Sequence, residues 1–325
     1  MPLDADQIVD RRRMRRKLAF WRALTVAVAI VAIVGVAGLR LPEGFSGSPA
    51  GAIARVRIVG LIRGNPERVE ALERLGKSSA RAVIVHIDSP GGTTAGAEQL
   101  HDALTQLKAK KPLVVVIDGL AASGGYLAAL SSDHIVAQSA SLVGSIGVLV
   151  QYPNVHDFLK NWGLKVEEIK SSPLKAAPSG YEPTSPEARA ALAAVVMDSY
   201  DWFKKLVRDA RKLDDATLAR VADGRVFTGR QALELRLVDE LGNEKTAIAW
   251  LARAKEIDPN SPVRDFELRS RYRDLPFLHL AAVFALDTMG LTSIARGLEE
   301  SGALSAVERL NLDGLLALWH PAVTE

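Results

Sequence analysis

Two glycine-rich turns about thirty residues apart, Asp88-Ser89-Pro90-Gly91-Gly92 and Ala122-Ser123-Gly124-Gly125-Tyr126, carry residue types able to do chemistry. The first offers backbone N–H groups and the second a hydroxyl. A serine followed by two glycines at the start of a helix suits nucleophilic attack: its small neighbours admit a substrate backbone, and the helix N-terminus favours developing negative charge. The pair of turns therefore implies a serine hydrolase with Ser123 as nucleophile.

Such a serine needs a proton acceptor. The six histidines, His86, His101, His134, His156, His279 and His320, stand in no recognisable triad context, and His86 lies in an apolar run that reads as a buried strand. No His-Glu-x-x-His metal spacing occurs, and hydrolysis by a serine implies neither a metal nor a nucleotide cofactor. The alternative base is a lysine, and Lys175 is the candidate. It sits among Pro173, Leu174, Ala176 and Ala177, apolar surroundings of the kind that disfavour an ammonium ion.

These residues must be held by elements legible in the pattern. Ala82 to Ile87 and Leu113 to Ile117 are apolar runs, each followed by a turn and a helix-compatible stretch. Repeated strand-turn-helix units place both turns at one edge of a parallel sheet, where open α/β sheets carry their sites. Further strands are expected at Ala54 to Ile62, around Ile135, at Ile146 to Val150, Leu164 to Ile169 and Leu237 to Asp239. Helices are expected at Pro66 to Gly76, Ala95 to Lys108, Ser123 to Leu130, Val155 to Trp162, about Pro186 to Lys212, Leu213 to Ala222, Gly229 to Leu235 and Asn243 to Ala254. The alternation predicts an α/β fold. Lys170 to Pro186, rich in proline and serine, fits no period and reads as a functional loop.

With 325 residues, 48% of them hydrophobic, the chain can bury a full core. Its formal charge of +3 comes from Arg11, Arg12, Arg13, Arg15, Arg16, Lys17 and Arg22, without which the remainder is mildly acidic. Nucleic acid is therefore not an expected partner. The absence of cysteine excludes a thiol nucleophile, disulfides and thiolate-bound zinc. Ala23 to Leu39 is uncharged between Arg22 and Arg40 and, extended through Leu18 to Trp21, reaches the length of a membrane span. The basic residues before it predict a cytoplasmic N-terminus, with everything after Arg40 on the far side of a bacterial inner membrane. A cleavable signal peptide is the rival reading, given small residues at Ser48-Pro49-Ala50 and Ala50-Gly51-Ala52. The expected layout is a cytoplasmic basic tail (1–22), an anchor (23–39), a linker (40–53), a catalytic domain (54–255) and a helical C-terminal extension (256–325). Within that extension, Leu278 to Met289 and Ala303 to Trp319 have helical spacing.

From Arg55 to Leu251 the chain resembles the short form of the bacterial signal peptide peptidase A (SppA) family. The motifs carrying the resemblance are Ile87-Asp88-Ser89-Pro90-Gly91-Gly92, Ala121-Ala122-Ser123-Gly124-Gly125-Tyr126 and Gly144-Ser145-Ile146-Gly147-Val148. It extends through Ile169-Lys170-Ser171 to Lys175, then through Ala222-Asp223-Gly224-Arg225-Val226-Phe227-Thr228-Gly229-Arg230-Gln231-Ala232 and Leu237-Val238-Asp239-Glu240. The resemblance implies a Clp/crotonase-like fold of repeated ββα units and a Ser-Lys dyad of Ser123 and Lys175. It also implies an oxyanion hole from the amides of Gly92 and Gly124. Lys170 competes for the role of base, because both lysines stand in the same motif; Lys175 occupies the second lysine position of the pattern. The implied substrates are released signal peptides and other hydrophobic peptides. The implied assembly is a homo-oligomeric ring, an octamer, whose neighbouring protomers share each site.

Three other readings stand beside this one. Ser172-Pro173-Leu174-Lys175 fits the Ser-x-x-Lys pattern of penicillin-binding enzymes, but it lacks a helix start and the accompanying motifs. A crotonase-type acyl-CoA enzyme would use a similar oxyanion hole. A non-catalytic membrane scaffold would use none of these residues.

Overall fold

The computed structural model describes residues 51–268 and the backbone of a short strand at 316–318. The basic tail and the anchor lie outside the described residues, as do residues 40–50 of the linker. Among the described residues no helix is long and apolar enough to cross a membrane.

The chain enters as strand β1 (Ile53–Val59) and turns into helix α1 (Pro66–Lys77), where Asn65 caps the N-terminus by accepting from the Arg68 amide and Pro66 occupies the first turn. The apolar run β2 (Ala82–Ser89) leads through a two-glycine turn to the short strand β3 (Gly91–Thr93). Thr93 then caps α2 (Thr94–Lys108). The pattern repeats with β4 (Leu113–Ala122) and α3 (Gly124–Ala129), followed by β5 (His134–Ala137), β6 (Leu142–Gly144) and α4 (His156–Asn161). Ser185 and Pro186 start the long helix α5 (Pro186–Arg211), as their types predict, and α6 (Asp215–Val221) follows. Strand β7 (Val226–Thr228), helix α7 (Gly229–Glu234), strand β8 (Glu240–Leu241), helix α8 (Glu244–Lys255) and strand β9 (Val263–Asp265) complete the continuous part. Strand β10 (Leu316–Leu318) stands apart in sequence.

The main sheet runs β7-β6-β4-β2-β1-β9, with β5 against the first half of β4 and β8 against β5. All its pairs are parallel except β6 with β7. Between β2 and β4 the register slips: Ile87 faces Ile117, but Ser89 faces Ala121. The extra residues form a bulge over Asp118 to Leu120.

Side chains alternate across the sheet. On one face Ile53, Ala82, Ile84, Val114, Val116 and Val136 are buried against Ala247 and Leu251 of α8. His86 continues this face and is satisfied on both ring nitrogens, Nδ1 with Asp118 at 2.9 Å and Nε2 with Glu244 at 2.9 Å. Glu244 is held in turn by Arg55, whose guanidinium lowers the carboxyl's pKa. The opposite face, with Val83, Val85 and Ile87, is equally buried, and α3 packs on β2 and β4.

His101 ties α2 to α3, with Nδ1–H donating to the Leu127 carbonyl at 3.0 Å. Burial pushes its pKa below the ordinary value, outweighing that bond. The unfolded chain therefore takes up a proton that the folded chain refuses, so the stability contributed is complete above about pH 6.5 and is lost as pH falls toward the lowered value. Acidification from about pH 7.5 to about pH 5.5 is expected to lower the thermal midpoint, read by circular dichroism, more in the wild type than in His101→Gln.

Several sequence expectations are corrected. Ile146 to Val150 is not a strand; the extended run is Leu142–Gly144, and positive φ at Gly144 (111°) and Ser145 (50°) ends it. Leu164 to Ile169 forms no strand either, because among the described residues no sheet edge meets it and its residues are exposed. The strand expected at Leu237 to Asp239 starts at Glu240. Beyond residue 255, β9 pairs with β1. The helix expected over Ala303 to Trp319 gives way at 316–318 to a strand, because the open edge of β3 outweighs a weak helical spacing. Leu278 to Met289 lies outside the described residues.

Candidate active site

Ser123 is the N-cap of α3, reached directly from the end of β4, with φ 52° and ψ −116°. A non-glycine residue in that region stores about 1–3 kcal/mol of strain. What holds it is a closed set of bonds: the Ser123 amide donates to the Gly144 carbonyl at 2.7 Å, and the Ser123 carbonyl accepts from Leu127 at 2.9 Å. The residue is 1% exposed. Its Oγ donates only a long hydrogen bond, 3.4 Å, to the Gly147 carbonyl, well beyond the usual O–H···O distance of about 2.7–2.8 Å. The hydroxyl is thus aimed by the backbone and weakly engaged by its neighbour.

The two glycine turns meet. A Cβ on Gly125 would lie 2.6 Å from the Ser89 carbonyl oxygen, so only glycine lets α3 start against the end of β2. A Cβ on Gly92 would lie 1.7 Å from the Ile62 carbonyl oxygen, far inside van der Waals contact. Both glycines are consequences of close approach rather than of flexibility. Ser89 is buried and works within its turn, donating to the Gly60 carbonyl and accepting from the Gly91 amide. Gly124 is the first residue of α3, where amides have no intrahelical acceptor. Gly125→Ala is expected to cost about 1–3 kcal/mol in a melt, by overpacking. It should also slow turnover on the order of a hundredfold, because α3 must shift against the first turn.

The remaining motifs converge on this serine. The Ser145 amide donates to the Arg225 carbonyl at 2.8 Å. Tyr126, fully buried, donates its hydroxyl to the Leu237 carbonyl at 2.8 Å, and burial raises its pKa far above the ordinary value. Asp239 receives Arg211 and the Ile135 amide, which fixes Leu237 to Asp239 beneath α3. The supporting carbonyls of Gly144 and Gly147 escape any reading of side-chain types. Positive φ at Ser145 is the feature that gives them their direction, and the Gly-Ser-Ile-Gly run is its only trace in the sequence.

No histidine among the described residues is bonded to Ser123. His86 and His101 are engaged as above, His134 stacks on Trp250 beside Glu240, and His156 contacts the Tyr181 carbonyl. His279 and His320 lie outside the described residues. Lys170 is clamped by Glu168 at 2.6 Å and Glu182 at 2.5 Å, which raise its pKa and favour the ammonium form. Lys175 is exposed, in a turn closed by its amide on the Ser172 carbonyl at 3.1 Å, and no hydrogen bond or ion pair joins it to Ser123 within the chain. Ser172 is likewise exposed and starts no helix. Among the described residues no cluster of three metal-ligating side chains occurs.

The stretch of chain leading to and past Lys175 carries exposed apolar side chains. Phe158, Trp162, Leu164, Ile169, Leu174 and Tyr181 are exposed, Trp162 at 72% and Ile169 fully. Patches of this kind on a folded domain mark interaction surfaces.

The sequence pattern of peptidase family S49 matches residues 105–258. A candidate protease of Synechocystis sp. is 37% identical over 66% of this chain and 79% of its own length. A candidate signal peptide peptidase SppA of Enterococcus faecium is 31% identical over 55% of this chain, which spans about half (52%) of that relative. Among solved structures, ClpP1 from Listeria monocytogenes superposes with a TM-score of 0.36 at 16% identity, over 58% of this chain and 91% of that one.

Proposed function

The chain belongs to peptidase family S49 and is a peptidase, and from that premise we propose a membrane-anchored serine endopeptidase that degrades released signal peptides and other hydrophobic peptides. The observation that carries the serine assignment is the strained backbone of Ser123, φ 52° and ψ −116°, at a strand-to-helix turn. That geometry sets a nucleophile at the tip of an elbow. Ser123 Oγ attacks the scissile carbonyl while Lys175 takes its proton; the amides of Gly92 and Gly124 receive the oxyanion. Lys175 returns the proton to the leaving amine and then activates the water that hydrolyses the ester.

The lysine arrives from a neighbouring copy of the chain. Its exposure here, the absence of a bond to Ser123 and the exposed apolar side chains of the stretch that carries it support that reading. Docking of a second protomer would bury the apolar segment and desolvate the amine in the same step, and desolvation is what a lysine base requires. A ring, an octamer in the short SppA form, repeats this contact. The anchor at residues 23–39 places the ring on the extracytoplasmic face of the inner membrane, where apolar peptides are released.

Fluorophosphonate labelling of the assembled protein tests the reading. A covalent adduct mapped to Ser123 and absent from Ser123→Ala is the expected result; an active assembly that takes no label would count against a serine nucleophile and return the crotonase-type alternative.

A further inference from the structure

The chemistry proposed for Ser123 makes no use of the His86 ring on β2. Its side chain is 13% exposed and stands between two carboxyl groups. Nδ1 lies 3.0 and 2.9 Å from Asp118 Oδ1 and Oδ2, and Nε2 lies 2.9 Å from Glu244 Oε2. Carboxylates only accept, so both contacts are hydrogen bonds only when the ring carries a proton on each nitrogen. Among the described residues, the charged groups around the ring on this face are Arg55 and Arg57 of β1, Asp88 of β2, Asp118 of β4, Glu244 of α8 and Asp265 of β9. Four carboxylates thus surround two guanidiniums, and the imidazolium supplies a third cation. Arg55 first and then the ring, against the opposing effect of burial, hold the Glu244 carboxyl below the usual carboxylate range.

What the ring grips is the bulge. Asp118 opens it, and from there β4 has no ladder to β2 until Ala121 meets Ser89, so strand register alone does not set the path of the chain. The buried Ser141 hydroxyl donates to the Asp118 carbonyl at 2.9 Å, and His86 holds the Asp118 carboxylate. Ser141 leads directly into β6, which pairs with Leu120, Ala121 and Ala122, and the Gly144 carbonyl at its end receives the Ser123 amide. We propose that the His86 imidazolium is a positioning group for the serine: by joining Asp118 to Glu244 it fixes the bulge on α8, and through the bulge the direction of the Ser123 turn. Loss of one ring proton leaves one carboxylate without its donor and frees the bulge from α8. The inference rests on the reading of Ser123 as the nucleophile.

The dependence of kcat on pH separates this role from a merely structural one. Once the ring gives up its second proton, wild-type kcat on an apolar fluorogenic peptide is expected to fall about tenfold or more with KM unchanged, because the serine and not the substrate edge is displaced. Asp118→Asn is isosteric at a side chain 43% exposed. Its amide donates to a neutral ring nitrogen or, turned over, accepts from a protonated one. This variant is therefore expected to keep kcat within about threefold of the wild type at about pH 6.5 and to lose the alkaline fall. His86→Gln, whose single amide nitrogen cannot serve both carboxylates, should show the lowered kcat at every pH from about 6 to about 9.5. If His86→Gln does not fold, Asp118→Asn decides alone. A wild-type kcat without an alkaline fall, or the same fall in either variant, overturns the proposal and leaves the peptidase reading standing. That reading fails separately, if fluorophosphonate never labels Ser123.

Discussion

Ser123→Ala is expected to lower kcat on an apolar peptide by about 10⁴- to 10⁶-fold, equivalent to about 5–8 kcal/mol of transition-state stabilisation, while the protein still folds and assembles. The size follows from the loss of the covalent route, with only the backbone donors and substrate binding left to help. The fold survives because the Ser123 side chain makes a single long bond, to the Gly147 carbonyl, whereas the turn is held by main-chain bonds to Gly144 and Leu127. Ser123→Gly sharpens the test. Glycine adopts φ 52° and ψ −116° at little steric cost, so it releases strain of about 1–3 kcal/mol against an unfolded-state entropy cost of about 0.5–1 kcal/mol. It should melt no lower than the wild type and be equally inactive. A catalytically silent Ser123→Gly protein that melts higher would show the elbow trading stability for activity. Undiminished turnover in either variant would remove Ser123 from the chemistry.

Lys175→Ala is expected to lose about 10²- to 10⁴-fold in kcat, the range for a general base, without losing fold, since the Lys175 side chain is exposed and makes no hydrogen bond or ion pair among the described residues. Mixing is the decisive experiment. If each site takes its serine from one subunit and its lysine from the next, Ser123→Ala and Lys175→Ala subunits co-assembled at equal amounts leave about a quarter of the sites with both groups intact. Activity near a quarter of the wild type is therefore expected from two parents that are each almost inactive. A mixture as inactive as its parents would place serine and lysine on one chain. Lys170→Ala serves as comparison: clamped by Glu168 and Glu182, it should perturb the loop without abolishing turnover.

The elements nearest the serine were legible because their signals are local. The runs at 82–87 and 113–117 could hardly be anything but buried strands, and Asn65, Ser185 and Pro186 announce their helices. The place of Ser123 at a strand-to-helix turn was legible for the same reason, as a lone hydroxyl before two glycines on a helix start. What escaped the sequence depends on distant partners. Leu164 to Ile169 has the composition of a strand, but an extended segment needs an edge, and none among the described residues reaches it. Leu316 to Leu318 has helical spacing, but the edge of β3 was free to take it as a strand. The carbonyls of Gly144 and Gly147 belong to every residue type alike, so no reading of side chains could single them out. The base is the hardest part: if it comes from another copy, its surroundings are not written in one chain's contacts at all.

The bulge in β4 has a consequence for how such a protein can diverge. Below it, β4 and β2 run in strict register, clad by α8; above it, the same strand has changed partner from β5 to β6 and leads into the serine turn. One strand thus serves as foundation along its first half and as tool holder along its second, with two surplus residues between them. Changes in the upper segment need not propagate into the lower one, because the register is already broken there. Descendants of such a chain can retool the cutting edge while inheriting the foundation unaltered.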